Sequence, residues 1–344
     1  MGAQVGGQSV FNALNIPSSA RIAALGGNLI SVNDSDLNLA IFNPSLLNAS
    51  MDGQLSMSYV NYFAGTNFGF ASYARQVDSV ATFSGTMQFF NYGQFDQTDQ
   101  EGTVTGKFYA GDFGLTLGAG IAVDTNYTIG ANLKVLYSSL AEYYSLGAAV
   151  DLSATYTNRM KRFTAALVAK NLGYQLITYR DGEREKLPFE IQLGISKQLK
   201  HAPFRFSVIA ENLQTWDLTY VNENEPVQFD PITGEAIQES RFEFGDKLMR
   251  HLVLGGEMLL SDNFNIRIGY NYRRRQEMLV ADKPGTAGFS WGLGLRIKRF
   301  DISYGRAIYH LAGPSNHFTV TTKIGNGQMG ALKRSMSPNE GGRL

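Results

Sequence analysis

The stretch Asn126-Tyr127-Thr128-Ile129-Gly130-Ala131-Asn132-Leu133-Lys134-Val135-Leu136-Tyr137-Ser138-Ser139 decides the fold. Tyr127, Ile129, Ala131, Leu133, Val135 and Tyr137 share one face at period two, and Thr128, Gly130, Asn132, Lys134 and Ser138 share the other. Wound as a helix, these apolar residues would lie all round the surface, so the segment reads as a strand. The pattern recurs. In 79–91, Ala81, Phe83, Gly85, Met87 and Phe89 alternate with Thr82, Ser84, Thr86 and Gln88. In 263–275, Phe264, Ile266, Ile268, Tyr270 and Tyr272 oppose Asn265, Arg267, Gly269, Asn271 and Arg273. In 288–298, Phe289, Trp291, Leu293, Leu295 and Ile297 oppose Ser290, Gly292, Gly294, Arg296 and Lys298.

Extended over the chain, this reading predicts strands at 53–62, 66–76, 79–91, 106–121, 126–140, 142–156, 161–172, 188–199, 203–217, 248–261, 263–277, 287–298, 300–310 and 316–325. That makes about fourteen, an even number, as in single-chain bacterial membrane barrels. Most are long enough for a tilted bilayer crossing. Phase breaks only in 66–76, where Tyr73 does not follow Phe68 and Phe70, and a bulge near Gly69–Ala71 is expected there. The links also alternate. Very short ones (Val77-Asp78, Val123–Asn126, Thr157–Met160, Lys200–Ala202, Asp262, Arg299) follow every second strand, while 92–105, 173–187, 218–247 and 278–286 are longer. Short periplasmic turns and longer outer loops give this asymmetry, and an even strand count then puts both termini in the periplasm.

Composition agrees. Charged residues are 17% of 344, with 37 Gly, 17 Tyr and 22 Phe, and Lys+Arg equals Asp+Glu at 30 each. A balanced charge argues against nucleic acid as a partner. The absence of cysteine removes disulfides, Cys-ligated zinc and thiol catalysis. No apolar run reaches the ~18 residues of a membrane helix. An apolar face on strand after strand, opposite a face that carries charges, is the reverse of a soluble barrel. The chain therefore reads as an all-β transmembrane antiparallel barrel set in outer-membrane lipid. His201, His251, His310 and His317 lack metal-ligand spacing, no P-loop occurs, and Gly288-Phe289-Ser290-Trp291-Gly292, which matches G-x-S-x-G in letters, lies within an alternating strand and not at a strand-to-helix elbow. No enzyme activity, cofactor or metal is expected.

Three segments follow: 1–52 ahead of the strands, the barrel 53–325, and a polar, disordered tail 326–344. A lumen of about fourteen strands exceeds what wall side chains fill, since about eight strands already fit snugly. Residues 1–52 are therefore expected to plug it. Inward positions carry Asp112, Lys134, Asp151, Lys170, Glu190, Arg205, Glu211, Glu257, Arg267, Arg273, Arg296, Lys298, Asp301, Arg306 and Lys323. The last five strands lean basic, which makes Asp34 and Asp36 natural partners for that wall.

The pre-barrel segment resembles a known family. Ala20-Arg21-Ile22-Ala23-Ala24-Leu25-Gly26-Gly27, Asn33-Asp34-Ser35-Asp36 and Phe42-Asn43-Pro44-Ser45-Leu46-Leu47 look like the plug signature of FadL-like outer-membrane barrels, roughly A-R-x-x-G-x-G-G, an acidic pair and W/F-N-P-A-x-L. Ala24-Leu25 departs from that pattern at its second glycine. Gln4-Val5-Gly6-Gly7, Tyr59-Val60-Asn61-Tyr62-Phe63, Pro188-Phe189-Glu190-Ile191-Gln192-Leu193-Gly194 and His201-Ala202-Pro203-Phe204-Arg205-Phe206-Ser207 resemble the PorV/PorQ branch of that family. The resemblance covers nearly the whole chain. It implies a non-enzymatic component of the type IX protein secretion system of Bacteroidetes, anchoring a surface partner resembling PorZ beside other attachment-complex subunits. Other FadL-like barrels transport hydrophobic small molecules, which is the alternative.

The long acidic link 218–247 carries Tyr220, Phe229, Arg241 and Phe242, spaced as anchors of a docking surface for that partner. Contacts with lipopolysaccharide or detergent belong to the same outer face, although acidic residues repel lipopolysaccharide phosphates unless divalent ions bridge them.

Overall fold

The computed structural model describes residues 9–62, 65–78, 80–180, 184–219, 244–278, 285–310 and 313–324. Fourteen antiparallel strands close into a barrel. They are β1 (Gln54–Asn61), β2 (Asn67–Val77), β3 (Ala81–Thr98), β4 (Val104–Ala122), β5 (Tyr127–Leu140), β6 (Tyr143–Asn158), β7 (Phe163–Ile177), β8 (Glu190–Gln198), β9 (Phe204–Ala210), β10 (Leu252–Leu259), β11 (Phe264–Asn271), β12 (Phe289–Ile297), β13 (Phe300–His310) and β14 (Gly313–Lys323). Each pairs with its sequence neighbours, and β1 meets β14 from Gln54↔Lys323 to Asn61↔Asn316. Among the described residues three short α-helices accompany them: α1 (Ala20–Ala24), α2 (Phe244–Arg250) and α3 (Tyr272–Glu277).

Closure sorts the side chains as the alternation requires. Phe83, Leu133, Ile268 and Leu293 are exposed on the outer face, and Tyr270 leans on the Phe289 ring at 4.7 Å. Thr86, Gln88, Asn132, Lys134, Glu257 and Arg267 are buried inside. The principal apolar cluster joins Ile22, Leu25, Leu29, Ile30, Leu39 and Leu46 to Val168, Ile209 and Val253 of the wall. The core of this molecule is thus mostly its pre-barrel segment, wrapped by a polar inner surface.

Several expectations need correction; besides those that follow, the strand expected over 203–217 ends at Ala210, and residues 248–250 belong to α2 and not to β10. No bulge interrupts β2, which runs in unbroken register with β1 and β3. Phe68 and Phe70 are buried inward while Tyr73 is exposed, so Tyr73 keeps the lipid-side phase and the two phenylalanines belong to the interior. The 92–105 link shrinks to 99–103, because a register shift between Asn91 and Gly93 lets the β3–β4 hairpin continue. The strand drawn through 277 stops at Asn271, whose side chain caps α3 by accepting the Arg274 N–H at 3.0 Å. Arg306 is exposed and pairs across β12 with outward-facing Trp291, whereas its odd-numbered neighbours Gly305 and Ala307 are buried inside.

The links between even and following odd strands are all short, and the long ones, including 178–189, 211–251 and 272–288, gather at the other end. Residues 325–344 lie outside the described residues.

Candidate functional site

The segment Ser9–Asp52 crosses the interior and touches opposing walls: α1 packs on β11 to β14, and the turn Pro44–Leu46 packs on β4 to β6. Its local shape follows from caps. Ser19 opens α1, accepting from the Ile22 N–H. Asp36 accepts the Asn38 N–H at 3.1 Å and opens the turn Leu37–Ile41. Asn43 accepts the Ser45 N–H at 3.0 Å, with Pro44 filling the position where no donor is needed. After α1, Gly26 and Gly27 take φ of 91° and 96°, a region that disfavours other residues. A Cβ on Gly26 would lie 2.4 Å from Val253, and one on Gly27 2.6 Å from Arg274.

Each motif residue meets the wall at a defined place. The Ala20 N–H donates to Thr319 Oγ1 at 2.9 Å, and the Gly26 N–H to Ser290 Oγ at 2.9 Å. Asn43 Nδ2 donates to the Ile30 carbonyl at 2.6 Å and to Thr155 at 3.1 Å. Pro44 lies against Gly120 and Gly130 of β4 and β5.

Arg21, Asp34 and Asp36 come together in one cluster, with Arg21 buried and the two aspartates half-buried at the edge of a cavity. Arg21 donates to Asp34 at 2.8 Å, Asp36 at 3.0 Å and Glu257 of β10 at 2.9 Å. Arg205 reaches Asp34 at 3.2 Å and Glu257 at 2.7 Å, and Arg267 reaches Glu257 at 3.2 Å. Three arginines and three carboxylates balance one another. Burial opposes the Arg21 charge, but Asp34, Glu257 and Asp36 outweigh it and strengthen its hold on its proton. Burial likewise pushes the Asp34 carboxyl up, and Arg21 and Arg205 more than reverse this, leaving it below the ordinary carboxylate range. The expected pairing of Asp34 and Asp36 with the basic last five strands does not form: Asp34 meets Arg205 of β9, Asp36 meets Arg21, and Arg267 of β11 turns to Glu257. What the sequence reading missed is that Arg21, inside the same segment, is the main partner, and that acidic Glu257 ties it to the wall.

A second buried group spans the neighbouring wall from β5 to β8. Lys134 lies 2.7 Å from Asp151, and Lys170 lies 3.0 Å from Glu190 and faces the Phe42 ring at 5.1 Å. At the long-link end Val10 donates its N–H to the Lys186 carbonyl at 3.0 Å, and Ala13 packs among Val60, Phe68, Phe70 and Phe90. Ser9 therefore sits at the end opposite Gly53 and Ile324, which bond each other, so the expectation of both termini at the short-link end is corrected: the first described residue lies at the long-link end. The segment's first eight residues lie outside the described residues, as do the proposed anchors Tyr220, Phe229, Arg241 and Phe242. His251 bonds the carbonyls of Glu211 and Trp216, at 2.7 and 3.1 Å, and does not join Glu257.

Two cavities open at the short-link end, the first rich in charge and the second mixed, with Leu47, Ala49, Val80 and Ala81 also in its wall. One of 410 Å³ opens beside Arg21, Arg205, Arg267, Arg296 and Asp301, and one of 740 Å³ beside Asn33, Asn48, Gln76, Asp124 and Asn126. No cluster of metal-ligating residues occurs among the described residues.

No family model matches the chain, and no curated protein matches it in sequence. Solved structures do resemble it in fold. The Pseudomonas putida toluene transporter TodX is 12% identical, with 88% of this chain and 96% of that one covered and a TM-score of 0.51. The CymD monoaromatic hydrocarbon channel is 12% identical over 92% and 100% of the two chains, at 0.53. A Pseudomonas aeruginosa FadL homologue is 12% identical over 90% and 98%, at 0.51. The fold is that of FadL-like outer-membrane barrels.

Proposed function

We propose that this chain is a non-enzymatic, PorQ-like protein of the bacterial outer membrane, closed by its own N-terminal segment and anchoring a PorZ-like surface protein of type IX secretion. Its short links lie in the periplasm and its long links outside. The observation that carries the closed state is the Arg21–Glu257 contact, which ties the segment to the wall inside a neutral six-residue cluster. A barrel whose interior is packed and fastened is suited to holding something at the surface. The anchoring role itself rests on the sequence resemblance and on the long acidic link. Purification of the native protein from outer membranes, with identification of what comes with it, tests this. A surface protein recovered in stoichiometric amount supports the anchor, and the barrel recovered alone counts against it.

A second reading is a transporter of hydrophobic small molecules. The fold likeness to TodX and CymD favours it more than it favours the anchor. So does the inward aromatic wall of Phe68, Phe70 and Phe90. Against it, Ala13 fills that wall and the 410 Å³ cavity is lined by charged side chains. Faster uptake of a toluene-sized tracer by cells carrying the protein would put this reading first.

A further inference from the structure

The barrel wall is not equally tall all round. β3 and β4 have 18 and 19 residues, whereas β9 has 7, β10 and β11 have 8, and β8 and β12 have 9. At ~3.3 Å per residue and a tilt of about 40°, an eight-residue strand rises roughly 20 Å, short of an apolar band of about 25 Å. On the β8–β10 side, something other than strand must supply the missing apolar surface.

The missing surface is present above those strands. Just past β9 the chain turns at Asn212, and the Leu213 N–H donates to the Ile191 carbonyl of β8 at 3.0 Å. Leu213 and Trp216 are exposed there, and Trp216 rests 5.3 Å from the ring of exposed Phe244 on α2. Phe244 and Leu248, four apart, share one face of α2. The opposite face is polar and fixed inward: Asp246 accepts from Arg250 at 2.7 Å and from the Tyr272 hydroxyl of α3 at 2.7 Å. Lys247 pairs with Asp217 at 2.6 Å. Leu213, Trp216, Phe244 and Leu248 thus form an exposed apolar patch at the long-link end of the strands that present Leu193, Phe206 and Leu254, with one face of Trp216 stacked on the ring of buried His251 at 5.6 Å.

We infer that this patch is an interfacial mooring: α2 and the Leu213–Trp216 turn lie in the outer leaflet and complete the lipid-facing belt where the strands are too short. Trp suits this place, since an amphipathic ring settles at headgroup level. The mooring rests on the membrane reading of the barrel, and the test separates the two.

Trp216 and Trp291 are the chain's two tryptophans. Trp291 lies on the outer face within the β12 ladder. Trp291→Phe and Trp216→Phe variants each leave one reporter, with folding checked by heat-modifiable gel mobility. In phosphatidylcholine vesicles with brominated acyl chains, Trp216 should lose most of its emission, more with bromines near the headgroup than near the chain ends. Trp291 should be quenched too, at greater depth. Aqueous acrylamide should spare both. If Trp291 is quenched by lipid while Trp216 is quenched only by acrylamide, the mooring is wrong and the face is open to water or to a protein. If neither responds to brominated lipid, the membrane reading fails as well.

Discussion

Arg21 Nε donates to Glu257 Oε1 at 2.9 Å across the boundary between the N-terminal segment and β10, with the side chains only 7% and 3% exposed. Two long charged groups are seldom buried so fully unless each is matched. Here Asp34 and Asp36 complete Arg21, and Arg205 and Arg267 complete Glu257.

Removing one partner should therefore cost more than the pair itself contributes. Arg21→Met leaves three carboxylates facing two arginines, and loss of a buried partner typically costs about 3–5 kcal/mol. The segment should detach before the ladder opens. Limited proteolysis should cut within residues 9–52 of the variant, while heat-modifiable mobility reports an intact barrel. Equal protection in variant and parent would contradict the fastening.

The same cluster fixes a pH dependence. The folded Asp34 carboxyl sits below its unfolded value, after Arg21 and Arg205 outweigh burial. Its contribution is therefore complete above the unfolded carboxylate range and is lost as pH falls through the folded value. Segment protection should be flat from neutral pH down to the ordinary carboxylate range and decline only at stronger acid. Asp34→Asn should lessen that late decline, leaving the share that belongs to the other carboxylates of the cluster. A transition near neutral pH would rule Asp34 out as its source.

Gly130 tests the other wall. A Cβ there would lie 2.3 Å from the Ser45 nitrogen and 2.4 Å from the Pro44 carbonyl carbon, both backbone atoms with little room to give. Gly130→Val should unseat the Asn43–Ser45 turn and raise proteolysis of the segment, yet leave β5 paired to β4 and β6. A variant as protected as the parent would show that the turn does not need this close approach.

On the outside, Leu133 is exposed midway along β5, flanked by Leu117 and Val150. Leu133→Arg should destabilise the barrel by about 2–4 kcal/mol if midplane depth applies. Denaturant unfolding in lipid vesicles measures it, and an unchanged midpoint would mean that this face does not meet hydrocarbon.

The strands were legible because period two is written in every one of them, and burial of each inward position enforces it. Their ends were less so. Asn271 ends β11 by capping a helix, and Gly93 prolongs β3 past a register shift; both are decided by one side chain or one φ angle and not by alternation. Phe68 and Phe70 misled because an aromatic in a membrane strand suggests lipid, whereas here Ala13 and Phe90 give them an apolar lining inside. Within the segment, Arg21, Asp34 and Asp36 stood out as motif residues, but their mutual contact needs a chain reversal that spacing alone does not show. Glu257, one acid among many inward charges, carried no signal of its own.

Shortening 222–243 to a Gly/Ser bridge addresses the anchor. Loop-length changes cost little entropy, so the barrel should still fold. Surface abundance of the partner should fall sharply. Full retention of the partner on a folded, shortened barrel would remove this loop from the account, and loss of tracer uptake instead would favour transport.

The closed interior is tested most directly in planar bilayers, comparing the full chain with one lacking residues 1–50. The full chain should insert without steady ion conductance, and the truncated chain should conduct, because the fourteen strands remain closed while their filling is gone. A full chain that conducts steadily, or a folded truncated barrel that stays sealed, would contradict the account.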